Sequence, residues 1–97
     1  MLRGKQRSYL KGQANKLNPI IHVGKGGLDQ ALIDQMDEAL AAHELVKGKV
    51  LKNSLEEVRD VAEKLATSCE AEVVQVIGNV FILYRRNKEK PIYILPQ

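Results

Sequence analysis

The chain has 97 residues, 44% of them hydrophobic and 28% charged, which sets the expectation of one globular domain over residues 1–97 and excludes a disordered chain. No apolar run approaches the ~20 residues needed to span a bilayer. Met1-Leu2-Arg3-Gly4-Lys5 opens on polar sequence rather than a secretory signal, and Cys69 is the sole cysteine, so a cytoplasmic protein with no internal disulfide and no membrane contact is expected.

The net charge of +3 is unevenly spread: residues 1–28 carry +6, residues 29–72 carry −6 and residues 73–97 carry +3. A fold that brings the two basic ends together makes a positive surface for a polyanion.

Residues 3–16 read as a first helix, with Leu2, Tyr9, Leu10 and Ala14 near one face and Asn18-Pro19 as its stop. Arg3, Arg7 and Lys11 are spaced four apart, so they share a face of that helix. A short apolar strand, Pro19 to Val23, runs directly into Gly24-Lys25-Gly26-Gly27. From Leu28 the period becomes helical, with Leu28, Leu32, Met36 and Leu40 four apart and Asp34, Asp37 and Glu38 opposite. Glu44 to Lys52 reads as a second strand. Val46, Gly48 and Val50 alternate there with Lys47 and Lys49, which predicts that the lysine side meets water and shields an edge. Ser54 with Glu57 three residues on is a capping-box pattern, so the third helix is expected to start at Ser54 and carry Leu55, Val58, Ala62, Leu65 and Cys69 as its apolar stripe. Glu72 to Ile77 and Val80 to Arg85 are two strands joined by Gly78-Asn79, a type II′ hairpin pattern. The tail, Pro91 to Pro96, is a short extended segment.

The expected order is therefore helix-strand-helix-strand-helix-strand-strand. This is an α/β (α+β, two-layer) domain, a mixed four-stranded sheet with helices packed on it and a right-handed crossover between parallel strands.

Gly24-Lys25-Gly26-Gly27 carries the most chemistry. Glycines let a ligand approach the backbone, free N–H groups at the following helix start favour anions, and Lys25 adds a positive charge. The competing explanation is a tight turn needing positive φ. The loop lacks the Gly-Lys-Ser/Thr ending of a nucleotide P-loop, and Asp29 stands where a dinucleotide fingerprint needs its third glycine. Arg3, Arg7 and Lys11, together with Arg85 and Arg86 after the last strand, are candidate extensions of a phosphate footprint. Tyr84 follows Val80 and Ile82 at period two, which favours packing over base stacking. His22, His43 and Cys69 make no recognisable zinc set, no catalytic constellation stands out, and no cofactor or metal is expected. Cys69 is expected to be a packed, inert thiol.

Several blocks in this order resemble the CRM domain family (chloroplast RNA splicing and ribosome maturation), in its stand-alone bacterial YhbY form. They are Leu10-Lys11-Gly12, Pro19 to Gly24, Gly24-Lys25-Gly26-Gly27, His43-Glu44-Leu45-Val46-Lys47, Val76-Ile77-Gly78-Asn79 and Leu83-Tyr84-Arg85. The resemblance implies a fold like the C-terminal domain of a bacterial translation initiation factor, with sheet order 1-2-4-3 and strand four antiparallel. It also implies an RNA-binding module that is not an enzyme, acting on ribosomal RNA in precursors of the large ribosomal subunit. The family's GxxG loop maps onto Gly24 to Gly27. It is similar to the backbone clamp of KH domains in local chemistry but not in topology, since the KH loop lies between two helices. The expected protein is thus a monomeric RNA-binding factor of ribosome biogenesis that contacts mainly the sugar-phosphate backbone. The rival reading is a protein-interaction module docking on ribosomal proteins or assembly factors through the acidic middle.

Overall fold

The computed structural model describes residues 2–97. Helix α1 (Gly4–Ala14) leads into strand β1 (Ile21–Val23), then α2 (Gln30–His43), β2 (Leu45–Val50), α3 (Val58–Cys69), β3 (Glu72–Ile77) and β4 (Val80–Tyr84). The element order and the mixed sheet are those expected.

Helix α2 starts where Asp29 caps it, its carboxylate accepting the Leu32 N–H at 2.9 Å, and its four-spaced Leu32, Met36 and Leu40 are all buried. Helix α3 departs from expectation. It starts at Val58 with Glu57 as N-cap, because Ser54 spends its hydroxyl earlier, accepting the Glu56 N–H at 3.2 Å within a turn. Leu55 is therefore not part of the stripe and stands 97% exposed, while Val61, Ala62, Leu65 and Cys69 are buried. At the hairpin, Gly78 has φ 58 and Asn79 has no positive φ, as a type II′ turn requires.

The sheet order is β1-β2-β4-β3. β1 and β2 are parallel, and β4 runs antiparallel to both β2 and β3. One face packs Ile21, Val23, Val46, Phe81 and Leu83 against α2 and α3. The opposite face, through Leu45, Val74, Ile82 and Tyr84, packs against Leu10 and Ala14 of α1, with Leu2, Tyr9, Leu17, Tyr93 and Leu95 around them. Helices thus clothe both faces, one more layer than the two expected. Full burial of Leu10 alone contributes roughly 1.5–3 kcal/mol to holding α1 there.

This second packed face corrects the reading of β2. The strand lies inside the sheet, so its lysines shield no edge. Lys47 is half-buried, and its Nζ donates to the carbonyls of Ala14 and Leu17, each at 3.3 Å. Alternation showed which side of β2 is apolar. It did not show that the lysine side would meet the end of a helix from 33 residues earlier in the chain.

Candidate nucleic-acid interface

Gly24 to Gly27 form a β-turn closed by the Gly27 N–H donating to the Gly24 carbonyl at 3.0 Å. Lys25 and Gly26 sit at its exposed tip. The turn follows β1 at the same end of the sheet as residues 51–57 and the Gly78-Asn79 hairpin: the Leu51 N–H donates to the Val23 carbonyl and the Val50 N–H to the Asn79 carbonyl, both at 2.8 Å.

The three glycines differ in what they need. Gly27 has φ 64, and a Cβ there would lie 2.6 Å from Glu56 Oε2. A side chain there would strain the backbone and push the Glu56 carboxylate from its place. Gly26 has open space around a would-be Cβ, and at Gly24 the nearest atoms, on Asn53 and Leu51, are at an ordinary 3.6 and 3.7 Å. Neither has positive φ. The tight-turn explanation therefore accounts for Gly27 and leaves Gly24 and Gly26 unexplained by the fold.

Glu56, which the sequence did not single out, closes the rear of this loop. Its Oε2 accepts the Leu28 N–H at 3.0 Å, and its Oε1 pairs with Lys64 Nζ at 3.5 Å. With Asp29 on the Leu32 N–H, two carboxylates of the chain itself occupy donors at the start of α2. Of the N–H groups at that helix start expected to favour an anion, the one on Leu32 is therefore taken by the protein itself. The positive charge at the tip comes from Lys25, which is exposed and forms no ion pair among the described residues.

The other candidate cations are dispersed. Arg7 is half-buried and its Nη1 donates to the carbonyls of Val73 and Val74, pinning α1 to β3. Arg3 is exposed at the N-cap of α1 and Lys11 is half-buried. Arg85 lies at the far end of the sheet, where Tyr84 pairs with Leu45. Its guanidinium binds Asp37 Oδ1 at 2.6 Å and the carbonyls of Cys69 and Asp37, each at 3.0 Å. It ties β4 to α2 and α3. Arg86 beside it is exposed. Tyr84 is buried and cannot offer its ring to a base. The two basic ends of the chain do converge: α1 and the tail residues Tyr93 and Leu95 share one cluster. They meet on the α1 face through Tyr93 and Leu95, whereas Arg85 and Asn87 lie against Asp37 and Ala41 of α2.

Among the described residues no group of three or more His, Cys, Asp or Glu side chains is arranged to hold a metal ion, and no helix is long and apolar enough to cross a membrane. Cys69 is buried, its Sγ donating to the Ile33 carbonyl at 3.7 Å. Burial, and then the nearby Asp37 carboxylate, push its thiol pKa up, against a smaller opposing pull from Arg85.

The family model of the CRS1 / YhbY (CRM) domain matches residues 2–85. The chain belongs to this family. Along its whole length this CRM domain is similar to the "Probable RNA-binding protein YqeI" of Bacillus subtilis, with 46% identity over 96 residues, covering 99% of this chain and 100% of the relative. It is 34% identical over 93 residues to a Haemophilus influenzae protein named an RNA-binding protein, covering 96% and 94% of the two chains. The solution structure of the Staphylococcus aureus protein SAV1595 superposes on this CRM domain with a TM-score of 0.83 at 41% identity, covering 99% and 100%. The helix-clothed β1-β2-β4-β3 sheet is therefore shared with a relative over the full chain.

Proposed function

We propose that this CRM domain binds RNA, without catalysing a reaction, by holding a stretch of sugar-phosphate backbone against the turn Gly24-Lys25-Gly26-Gly27. The observation that carries the reading is that Gly24 and Gly26 have room for a side chain yet have none. A ligand backbone that must come within contact distance of the turn supplies the missing reason. Lys25 supplies the charge. Relatives named as RNA-binding proteins support RNA as the polyanion. The resemblance to the bacterial YhbY form extends the proposal to ribosomal RNA of large-subunit precursors in the cytoplasm, with the protein acting as a monomer. Arg3, Lys11 and Arg86 are available to extend the contact, whereas the guanidinium groups of Arg7 and Arg85 are held inside the fold.

Two substitutions test the loop. Gly26→Asp strains nothing, because Gly26 lacks positive φ and its would-be Cβ meets nothing within 4 Å. Lys25→Glu changes an exposed tip. Both proteins should melt like the parent. Each should bind RNA at least about tenfold more weakly at ~100 mM salt, a loss of ~1.4 kcal/mol. Unchanged affinity in both would move the RNA site off this turn. If nuclease treatment leaves the protein on pre-ribosomal particles, docking on a ribosomal protein replaces the RNA reading.

A further inference from the structure

We infer that the bare end of the sheet on the α1 face is a platform for unpaired nucleobases, continuous with the Gly24–Gly27 turn. This inference rests on the RNA reading above and narrows its ligand to single-stranded or looped RNA.

Strand register defines the platform. His22 pairs with Lys49, Lys49 with Val80, and Val80 with Ile77, so the four residues form one row across all four strands. Partners directly opposite share a face. Lys49 lies on the same side of β2 as Lys47, whose Nζ meets the C-terminal end of α1, so the row is on the α1 face. Helix α1 and the tail cover Leu45, Val74, Ile82 and Tyr84, and that cluster includes none of the row. His22 and Ile77 are exposed, Ile77 by 60%, and Lys49 and Val80 are half-buried.

Three properties favour bases over other occupants. The row holds an imidazole that can stack, two apolar side chains and one cation, with no carboxylate among the four. Helix α1 on the same face carries Lys5, Arg7 and Lys11 and no acid, whereas α2 on the opposite face carries Asp34, Asp37 and Glu38 and neither Lys nor Arg. A polyanion is thus drawn to this side of the sheet. The row also begins beside the proposed clamp: His22 is two residues before Gly24, and the Gly78-Asn79 turn borders its other end. With strands about 4.8 Å apart the row is roughly 14 Å wide, room for the two or three bases that sheet-borne RNA sites hold. A duplex keeps its bases stacked inside and gains little from such a floor.

The test compares an unpaired oligoribonucleotide of about ten nucleotides with a duplex of the same length, by fluorescence anisotropy at ~100 mM salt. His22→Ala and Ile77→Ser change exposed side chains. Each should weaken single-strand binding at least about fivefold while changing duplex binding by less than about twofold. In the unaltered protein, bases over the row should shift the methyl proton signals of Val80 and Ile77 upfield as the single strand is added. That readout decides the matter even if Ile77→Ser folds poorly.

Lys25→Glu separates the two claims. If it weakens binding while His22→Ala and Ile77→Ser do not, the platform is overturned and the loop reading stands. If the row variants weaken binding and Lys25→Glu does not, the platform stands and the loop reading fails. Equal losses for single strand and duplex overturn the platform. So does loss of a nuclease-resistant protein partner by Ile77→Ser at unchanged RNA affinity, which would make this a protein-docking face.

Discussion

Glu44 shows how much one side chain can organise that the sequence places only at the start of a strand. It is fully buried, and its carboxylate accepts the backbone N–H groups of Asn87 at 2.7 Å and of Ile92 and Tyr93 at 2.9 Å each. It thereby folds the C-terminal tail back over the end of α2. Its backbone has φ 64 and ψ −48 at the C-cap of that helix, a conformation in which glycine would be at ease. The two effects oppose each other, and magnitudes decide. Relief of a non-glycine residue held in a sparsely populated positive-φ conformation is worth about 1–3 kcal/mol, whereas hydrogen bonds to a charged group contribute about 1.5–3 kcal/mol each. Glu44→Gly should therefore destabilise the domain, by roughly 3 kcal/mol or more, despite offering the better backbone. Denaturant unfolding measures this, and hydrogen exchange should show the Ile92 and Tyr93 amides losing protection. A more stable Glu44→Gly protein would mean that the carboxylate contributes little and the tail is held by Tyr93 and Leu95 alone.

Between elements, the closest fit is β2 against β4. A Cβ on Gly48 would lie 2.3 Å from the ring of Phe81, its cross-strand partner, so the ring lies over bare backbone. Gly48→Ala should destabilise by about 1–3 kcal/mol through overpacking. Combining it with Phe81→Leu, which opens that space, should give a double mutant less destabilised than the sum of the two single changes. Strict additivity in the unfolding midpoints would show that the two residues do not compete for space. Gly48 also marks where sequence reading stops. The period of α2, the hairpin at Gly78-Asn79 and the strand order implied by the CRM resemblance were all legible, because each depends on local spacing or on a family pattern. The start of α3 was misread because Ser54 and Glu57 mimic a capping box, while the Ser54 hydroxyl closes a turn to Glu56 instead. The structural roles of Arg7, Lys47 and Arg85 were illegible for another reason. Their partners, at Val74, Ala14 and Asp37, lie 67, 33 and 48 residues away, and charge alone does not reveal that a cation will spend itself on the fold. At the candidate site, the turn and its lysine could be read. The division of labour among its glycines, and the Glu56 carboxylate behind it, required the third dimension.

On the scale of the whole molecule, protons and charge both have a geometry. Burial raises the pKa of Cys69, Tyr84 and Tyr93. The Asp37 carboxylate adds to this for Cys69, Glu44 for Tyr84, and Tyr9 and then Glu44 for Tyr93. Each group keeps its proton in the native state after the unfolded chain has lost it. Above about pH 9 the unfolded state therefore binds fewer protons, and stability falls as pH rises. Melting temperature should decline from about pH 9 upward, and Tyr84→Phe, which also removes a buried hydroxyl with no partner among the described residues, should flatten that decline. Equal slopes for the two proteins would show that Tyr84 does not contribute. Fixed charge follows the layers: the basic helix α1 and the acidic helix α2 lie on opposite faces of the sheet, roughly 20 Å apart and about two Debye lengths at physiological salt. If the α1 face meets RNA, changes of charge on the two faces are not equivalent, although they alter net charge alike in size. With about four phosphates neutralised, log K should fall against log salt with a slope near −3. Lys5→Gln with Lys11→Gln should weaken binding and make that slope shallower by about 1–2. Glu38→Gln with Glu63→Gln, both exposed on the far side, should leave slope and affinity nearly unchanged, because screening hides that face from the ligand. If instead the second pair strengthens binding as much as the first weakens it, the ligand responds to net charge alone, and no face of the sheet is privileged.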